Sequence, residues 1–78
     1  MTQKTDNKTV DLDALEEKYP DPLPSLVGVD GNAFSVLVHF SKNARKAGWD
    51  SEDIEAVKNE AMSGSYNHLL NTISFFTE

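Results

Sequence analysis

The chain of 78 residues is long enough for one domain, and with 38% hydrophobic residues it is near the smallest size at which a core alone holds a fold. It contains no cysteine, which excludes disulfides and thiolate metal sites, and its net charge of −6 argues against binding to nucleic-acid phosphates. The longest apolar run is residues 36–38, and the N-terminus has no apolar signal core. We therefore expect a cytoplasmic protein with no direct nucleic-acid or membrane partner.

The first 24 residues differ in character from the rest. They contain six acidic residues and three lysines, a net charge of −3, and residues 25–78 carry the other −3 over more than twice the length. They also contain all three prolines of the chain, at Pro20, Pro22 and Pro24. Because such a segment buries little apolar surface, we expect residues 1–24 to form a flexible acidic arm in which residues 1–8 are disordered.

A short helix is possible inside this arm, over residues 10–19. Leu12, Leu15 and Tyr19 share one face of such a helix, and Pro20 ends it. An isolated helix of this length is only marginally stable in water. It therefore either packs loosely on the rest of the chain or folds onto a partner.

The segment after the prolines allows two interpretations. Asp30-Gly31 between apolar runs is typical of a β-hairpin. A helix over residues 33–47 competes with it, with Asn32 as its N-cap and Gly48 directly after its end. We favour the helix, because the apolar pattern continues to the end of that segment without a breaker. A short extended segment then precedes it.

Two further helices are predicted, over residues 51–62 and 65–76. Acidic residues fill the first turn of the earlier one, and Ser63-Gly64 separates the two. The fold class is therefore all-α, a three-helix domain over residues 25–78 that follows the acidic arm. Its predicted core consists of Phe34, Leu37, Val38, Phe40, Ala44, Trp49, Ile54, Val57, Ala61, Leu69, Leu70, Ile73 and Phe76.

No arrangement of residues indicates catalysis or metal binding. His39 and His68 have no ligand partner at i+3 or i+4, and the chain contains no glycine-rich phosphate loop. Ser63, His68 and Glu60 could be nominated as nucleophile, base and orienting acid, but about 54 folded residues offer few walls for a pocket. We expect no enzymatic activity, no cofactor and no bound metal.

Two separated motifs carry a resemblance. They are Asp30-Gly-Asn-Ala-Phe34 and Ser63-Gly-Ser-Tyr-Asn-His-Leu-Leu70. Together they resemble a group of small bacterial and phage or mobile-element proteins without a known activity, over roughly residues 26–76. The resemblance implies three helices, including the helical form of residues 33–47, and it implies no activity.

The sequence favours a small accessory protein that acts by binding another protein. Trp49 is either a plug of the core or an exposed anchor, and the acids after it either complement a helix dipole or mimic phosphates. The candidate partner-binding residues are Leu12, Leu15, Tyr19, Trp49, Glu52, Asp53 and Glu55. Two alternatives stay open: an acidic nucleic-acid-mimicking inhibitor of a host enzyme or defence complex, and a structural homodimer.

Overall fold

The computed structural model of the protein describes residues 11–78. These residues form four α-helices, which are α1 (Leu12–Lys18), α2 (Ala33–Lys46), α3 (Ser51–Ala61) and α4 (Tyr66–Ser74). Apart from one isolated bridge between Leu23 and Thr77, that part of the chain contains no β-structure. The all-helical class is confirmed. Residues 25–78 contain three helices, and the fourth, α1, lies within residues 10–19, where the sequence allowed a short helix. The predicted disorder of residues 1–8 lies outside the described residues.

The two ends of α2 explain why this segment is a helix and not a hairpin. The Asn32 side chain accepts a hydrogen bond from the backbone N–H of Phe34 at 2.8 Å. At the other end Gly48 has a φ of +93°, and the backbone N–H groups after the helix turn back onto its last carbonyls. Gly48 N–H donates to Arg45, and Trp49 N–H donates to Ala44. This pair of bonds is a Schellman motif, which satisfies carbonyls that the helix end leaves free.

We expect Gly48→Ala to lower the free energy of unfolding by about 1 kcal/mol, because a residue with a Cβ resists positive φ. A Cβ at Gly48 would meet no atom within 4 Å, so the loss comes from the backbone alone. Gly31→Ala is the matched control. Its Cβ would lie 3.6 Å from Tyr66 Oη, an ordinary contact, and urea denaturation should show unchanged or slightly higher stability. Equal losses in both variants would contradict this role of Gly48.

Helices α2, α3 and α4 pack against one another in pairs around one core. Phe34 and Val38, which the apolar pattern predicts in that core, are instead 73% and 46% exposed. The helix presents a different face, on which Val36, Phe40 and Ala44 recur every fourth residue and are buried. The buried core residues are Leu15, Leu23, Val36, Phe40, Ala44, Trp49, Ile54, Val57, Ala61, Leu69, Ile73 and Phe76.

The core also takes side chains from before residue 25. Leu15 of α1 and Leu23 are both buried in it. Leu23 N–H donates to the Phe76 carbonyl at 2.8 Å, and Glu78 N–H donates to the Leu23 carbonyl at 2.9 Å. These bonds engage the C-terminal residues, and α4 ends at Ser74, before the predicted end at residue 76. From residue 11 onward, the predicted arm therefore packs on the three-helix unit.

Candidate functional site

Of the apolar residues predicted to meet a partner, Tyr19 and Trp49 contact each other, and Leu12 and Leu15 pack in or against the same core. Tyr19 stacks on Trp49 with ring centroids 4.2 Å apart and ring planes 9° apart. Trp49 is 6% exposed and also lies nearly perpendicular to the rings of Phe40 and Phe76. Leu15 is buried, and Leu12 packs partly against the same core. Helix α1 thus covers Trp49, and an anchor role for Trp49 requires α1 to move away.

A polar network joins the end of α1 to the start of α3. The Tyr19 hydroxyl donates to the Asp53 carboxylate at 2.6 Å and accepts from the Asp50 backbone N–H at 3.0 Å. The Lys18 ammonium lies 2.9 Å from the Asp53 carboxylate and 3.3 Å from that of Asp50. The Tyr19 hydroxyl and, next, the Lys18 ammonium hold the pKa of Asp53 below its ordinary value of 3.8. The Asp53 carboxylate is therefore bound by the two residues at the C-terminal end of α1, Lys18 and Tyr19.

We expect Tyr19→Phe to lower the free energy of unfolding by about 1–2 kcal/mol at pH 7, because it keeps the ring stack and removes a hydrogen bond to a carboxylate. A depressed pKa means that ionised Asp53 stabilises the fold above its ordinary pKa of 3.8. That contribution is lost as the pH falls through the lower folded-state pKa. Urea denaturation of both proteins should show their difference shrinking as the pH falls below 3.8. A difference independent of pH would contradict this.

The two other acidic candidates lie on the exposed surface of α3. Glu52 and Glu55 are both exposed, and the Glu55 carboxylate is 3.3 Å from the Lys58 ammonium. Of the three acids considered as phosphate mimics, two are therefore accessible, and Asp53 is held by Tyr19 and Lys18. The structure does not bring all seven sequence candidates into one surface.

An open groove of about 460 Å³ lies between α2 and α3, and we name it the α2–α3 groove. Phe34 and Val38 lie along it, together with Met62, which is 54% exposed. The lining consists of Phe34, Leu37, Val38, Ser41, Lys42, Arg45, Lys58 and Met62. Sequence reasoning missed this site because it placed Phe34 and Val38 in the core. The available signal was an apolar stripe on α2 wider than one buried face needs.

The charge around the α2–α3 groove is opposite in sign to that of the whole chain. Lys42, Arg45 and Lys58 line it, although the chain carries −6. Lys42 and Arg45 form no ion pair within residues 11–78. Exposed apolar surface rimmed by polar residues is typical of a binding surface.

The nominated Ser63, His68 and Glu60 are not arranged for nucleophilic catalysis. His68 Nε2 lies 3.0 Å from Glu60 Oε2, but the Ser63 hydroxyl donates to the Glu60 backbone carbonyl at 2.7 Å. Over the part of the chain that the structure describes, no three His, Asp or Glu side chains are grouped to hold a metal ion. The helices found there are all too short or too polar to cross a membrane.

Compared with protein-family models, curated proteins and solved structures, the chain shows no significant match. The fold and the site together define a small helical protein with a cationic and apolar groove on an otherwise acidic chain. Its function is therefore argued from the contacts and charges of that groove.

Proposed function

We propose that the protein is a small, non-enzymatic interaction protein that binds an acidic amphipathic helix of a partner protein in the α2–α3 groove. The observation that carries this proposal is the exposed apolar lining formed by Phe34, Val38 and Met62 and bordered by cations. Apolar patches rimmed by polar residues mark interaction sites on monomeric proteins.

The dimensions of the groove fit a helix. Its lining on α2 extends from Phe34 to Arg45, about 17 Å at 1.5 Å per residue, which is the length of about three helical turns. A helix bound in a groove buries apolar side chains at i, i+3 or i+4, and i+7. The apolar lining lies toward the start of α2, and Lys42 and Arg45 lie toward its end. We therefore expect apolar anchors in one half of the partner helix and carboxylates in the other.

Charge complementarity argues for an acidic partner. At about 0.15 M salt the Debye length is about 8 Å, so a bound helix responds to the nearby cations while the net charge of −6 is largely screened. One exposed ion pair contributes about 0.2–1 kcal/mol. The apolar contacts then supply most of the affinity, and Lys42, Arg45 and Lys58 select the sign and orientation of the partner.

The test uses two synthetic peptides of about 16 residues that share leucines at helical spacing. One carries glutamates in the half that would meet Lys42 and Arg45, and the other carries lysines at those positions. In about 0.15 M salt, fluorescence anisotropy should show at least roughly tenfold tighter binding of the glutamate peptide, and Val38→Asp should abolish it. Equal binding of both peptides, or binding that survives Val38→Asp, would refute the proposal.

The acidic mimic is the second candidate, and the exposure of Glu52 and Glu55 supports it. It predicts the opposite peptide preference, with binding of the lysine peptide that falls steeply with salt. The double variant Glu52→Lys/Glu55→Lys should then lose that binding. Glu55 pairs with Lys58 of the groove lining, so the control is Glu52→Lys alone, which should change the affinity for the glutamate peptide by less than about twofold if the groove is the site.

One part of the proposal rests on the sequence alone. We propose a phage or mobile-element origin on the resemblance carried by the two motifs at residues 30–34 and 63–70. The genes that neighbour the coding sequence would test the origin, with defence genes favouring an inhibitor and replication or structural genes favouring an accessory factor.

A further inference from the structure

Tyr19 packs against a surface formed by Trp49, Asp50 and Asp53. We name this surface the Tyr19 cleft. Tyr19 also borders two cavities, one of about 190 Å³ that reaches Trp49 and one of about 150 Å³ that reaches Phe76. Both cavities open to the surface, so the edges of the contact between residues 11–23 and the rest of the protein are accessible to solvent.

Residues 11–23 are attached to the rest of the protein at two places. Lys18 and Tyr19 are held in the Tyr19 cleft by the ion pairs, hydrogen bonds and ring stack described above. Leu23 is held by two backbone hydrogen bonds to the C-terminal residues. The nine residues 24–32 join residues 11–23 to α2, without helix or strand of their own. Fully extended, they span up to about 30 Å.

We infer that the Tyr19 cleft also accepts Lys18 and Tyr19 of a second copy of this chain, so that two copies exchange residues 11–23 and form a dimer. The cleft is complementary to a cation followed by an aromatic ring, because Asp50 and Asp53 receive the ammonium and Trp49 receives the ring. A second copy of the chain presents the same cation and ring, at Lys18 and Tyr19, because its sequence is identical. Exchange of an identical element re-forms every contact in the dimer and needs no new one.

The inference does not depend on the α2–α3 groove, since none of the residues that receive Lys18 and Tyr19 line that groove. In a single copy the short connection gives the segment an effective concentration in the millimolar range. The monomer is therefore favoured at micromolar protein. The dimer should appear near millimolar concentration, or wherever closure within one copy is weakened.

The test mixes two full-length variants with opposite charge changes. Asp53→Lys places a lysine in the cleft against Lys18, and Lys18→Asp places an aspartate in the segment against Asp53. Each variant alone repels its own segment, both within one copy and between identical copies. In the mixture, Lys18 of one variant meets Asp53 of the other, and the introduced aspartate meets the introduced lysine, so both contacts are attractive. Sedimentation velocity at about 100 µM should then show a dimer fraction at least roughly tenfold above either variant alone. Trp49, the single tryptophan, should regain the wild-type emission.

Two controls define the interpretation. One chain carrying both Lys18→Asp and Asp53→Lys should close on itself, with wild-type Trp49 emission at micromolar concentration. If it does not, the contact between positions 18 and 53 does not hold residues 11–23 in the Tyr19 cleft, and the inference is overturned. Adding Tyr19→Ala to both mixed variants should remove the dimer. A mixture that stays monomeric, or a dimer that survives Tyr19→Ala, also overturns the inference.

Discussion

Replacing Phe40 by alanine is expected to lower the free energy of unfolding by about 3–5 kcal/mol. Phe40 is 0% exposed, and its ring meets the rings of Trp49 and Phe76 at centroid distances of 5.4 and 6.3 Å. Truncation leaves a cavity at the junction of α2 with the aromatic core. Because a single core in a chain of this size supplies only about 3–5 kcal/mol of stability, the variant should be close to unfolded at 37 °C. Urea denaturation followed by circular dichroism measures the change.

Phe34→Ala is the matched control, since it is the same substitution on the same helix. Phe34 is largely exposed, so we expect a change within about 0.5 kcal/mol. The comparison tests which face of α2 packs against the other helices. Similar losses for both variants would mean that Phe34 is buried, and the α2–α3 groove would then not exist as described.

Arg45→Glu is expected to weaken binding of the glutamate peptide roughly five- to tenfold. The substitution removes one cation from the groove and adds a like charge beside the carboxylates of the peptide, together about 1–1.4 kcal/mol. Fluorescence anisotropy in about 0.15 M salt measures the dissociation constant. The variant should keep the wild-type helical content, because Arg45 is exposed on α2.

Lys46→Glu is the control for that measurement. Lys46 is the next residue, is exposed, and does not line the α2–α3 groove, and its substitution changes the net charge by the same amount. A loss below about twofold is expected, because a charge outside the groove acts mainly through the screened long-range field. If Lys46→Glu weakens binding as much as Arg45→Glu does, attraction comes from the overall charge and not from the groove.

Local signals were sufficient to predict the helices of residues 25–78. Asn32 and Gly48 bound α2, and the structure places its last residue at Lys46 where the prediction placed residue 47. α3 ends at Ala61, one residue before the predicted end. These boundaries depend on backbone hydrogen bonds between near neighbours, which the sequence reveals directly.

The buried face of α2 could not be read from the sequence. Apolar residues surround much of the first half of this helix, so its pattern fits two faces about equally. The packing of α3 and α4 selects the face of Val36, Phe40 and Ala44, and that selection involves residues distant in sequence. The same choice leaves Phe34 and Val38 in the α2–α3 groove, so the error in the core and the missed site have one cause.

The contact between Tyr19 and Trp49 was also beyond sequence reasoning. Both residues were singled out as separate candidates, but thirty residues and three prolines separate them. Neither periodicity nor capping relates positions at that distance. Only the fold shows that Trp49, the predicted anchor, packs against Tyr19 of the predicted arm.

The most direct test of the central claim is where the glutamate peptide binds. Backbone amide chemical shifts of the ¹⁵N-labelled protein can be followed by NMR as the peptide is added. We expect the largest changes on the lining of the α2–α3 groove, from Phe34 to Arg45 on α2 and at Lys58 and Met62. Changes concentrated on α1 and Trp49, or spread evenly over the protein, would contradict it.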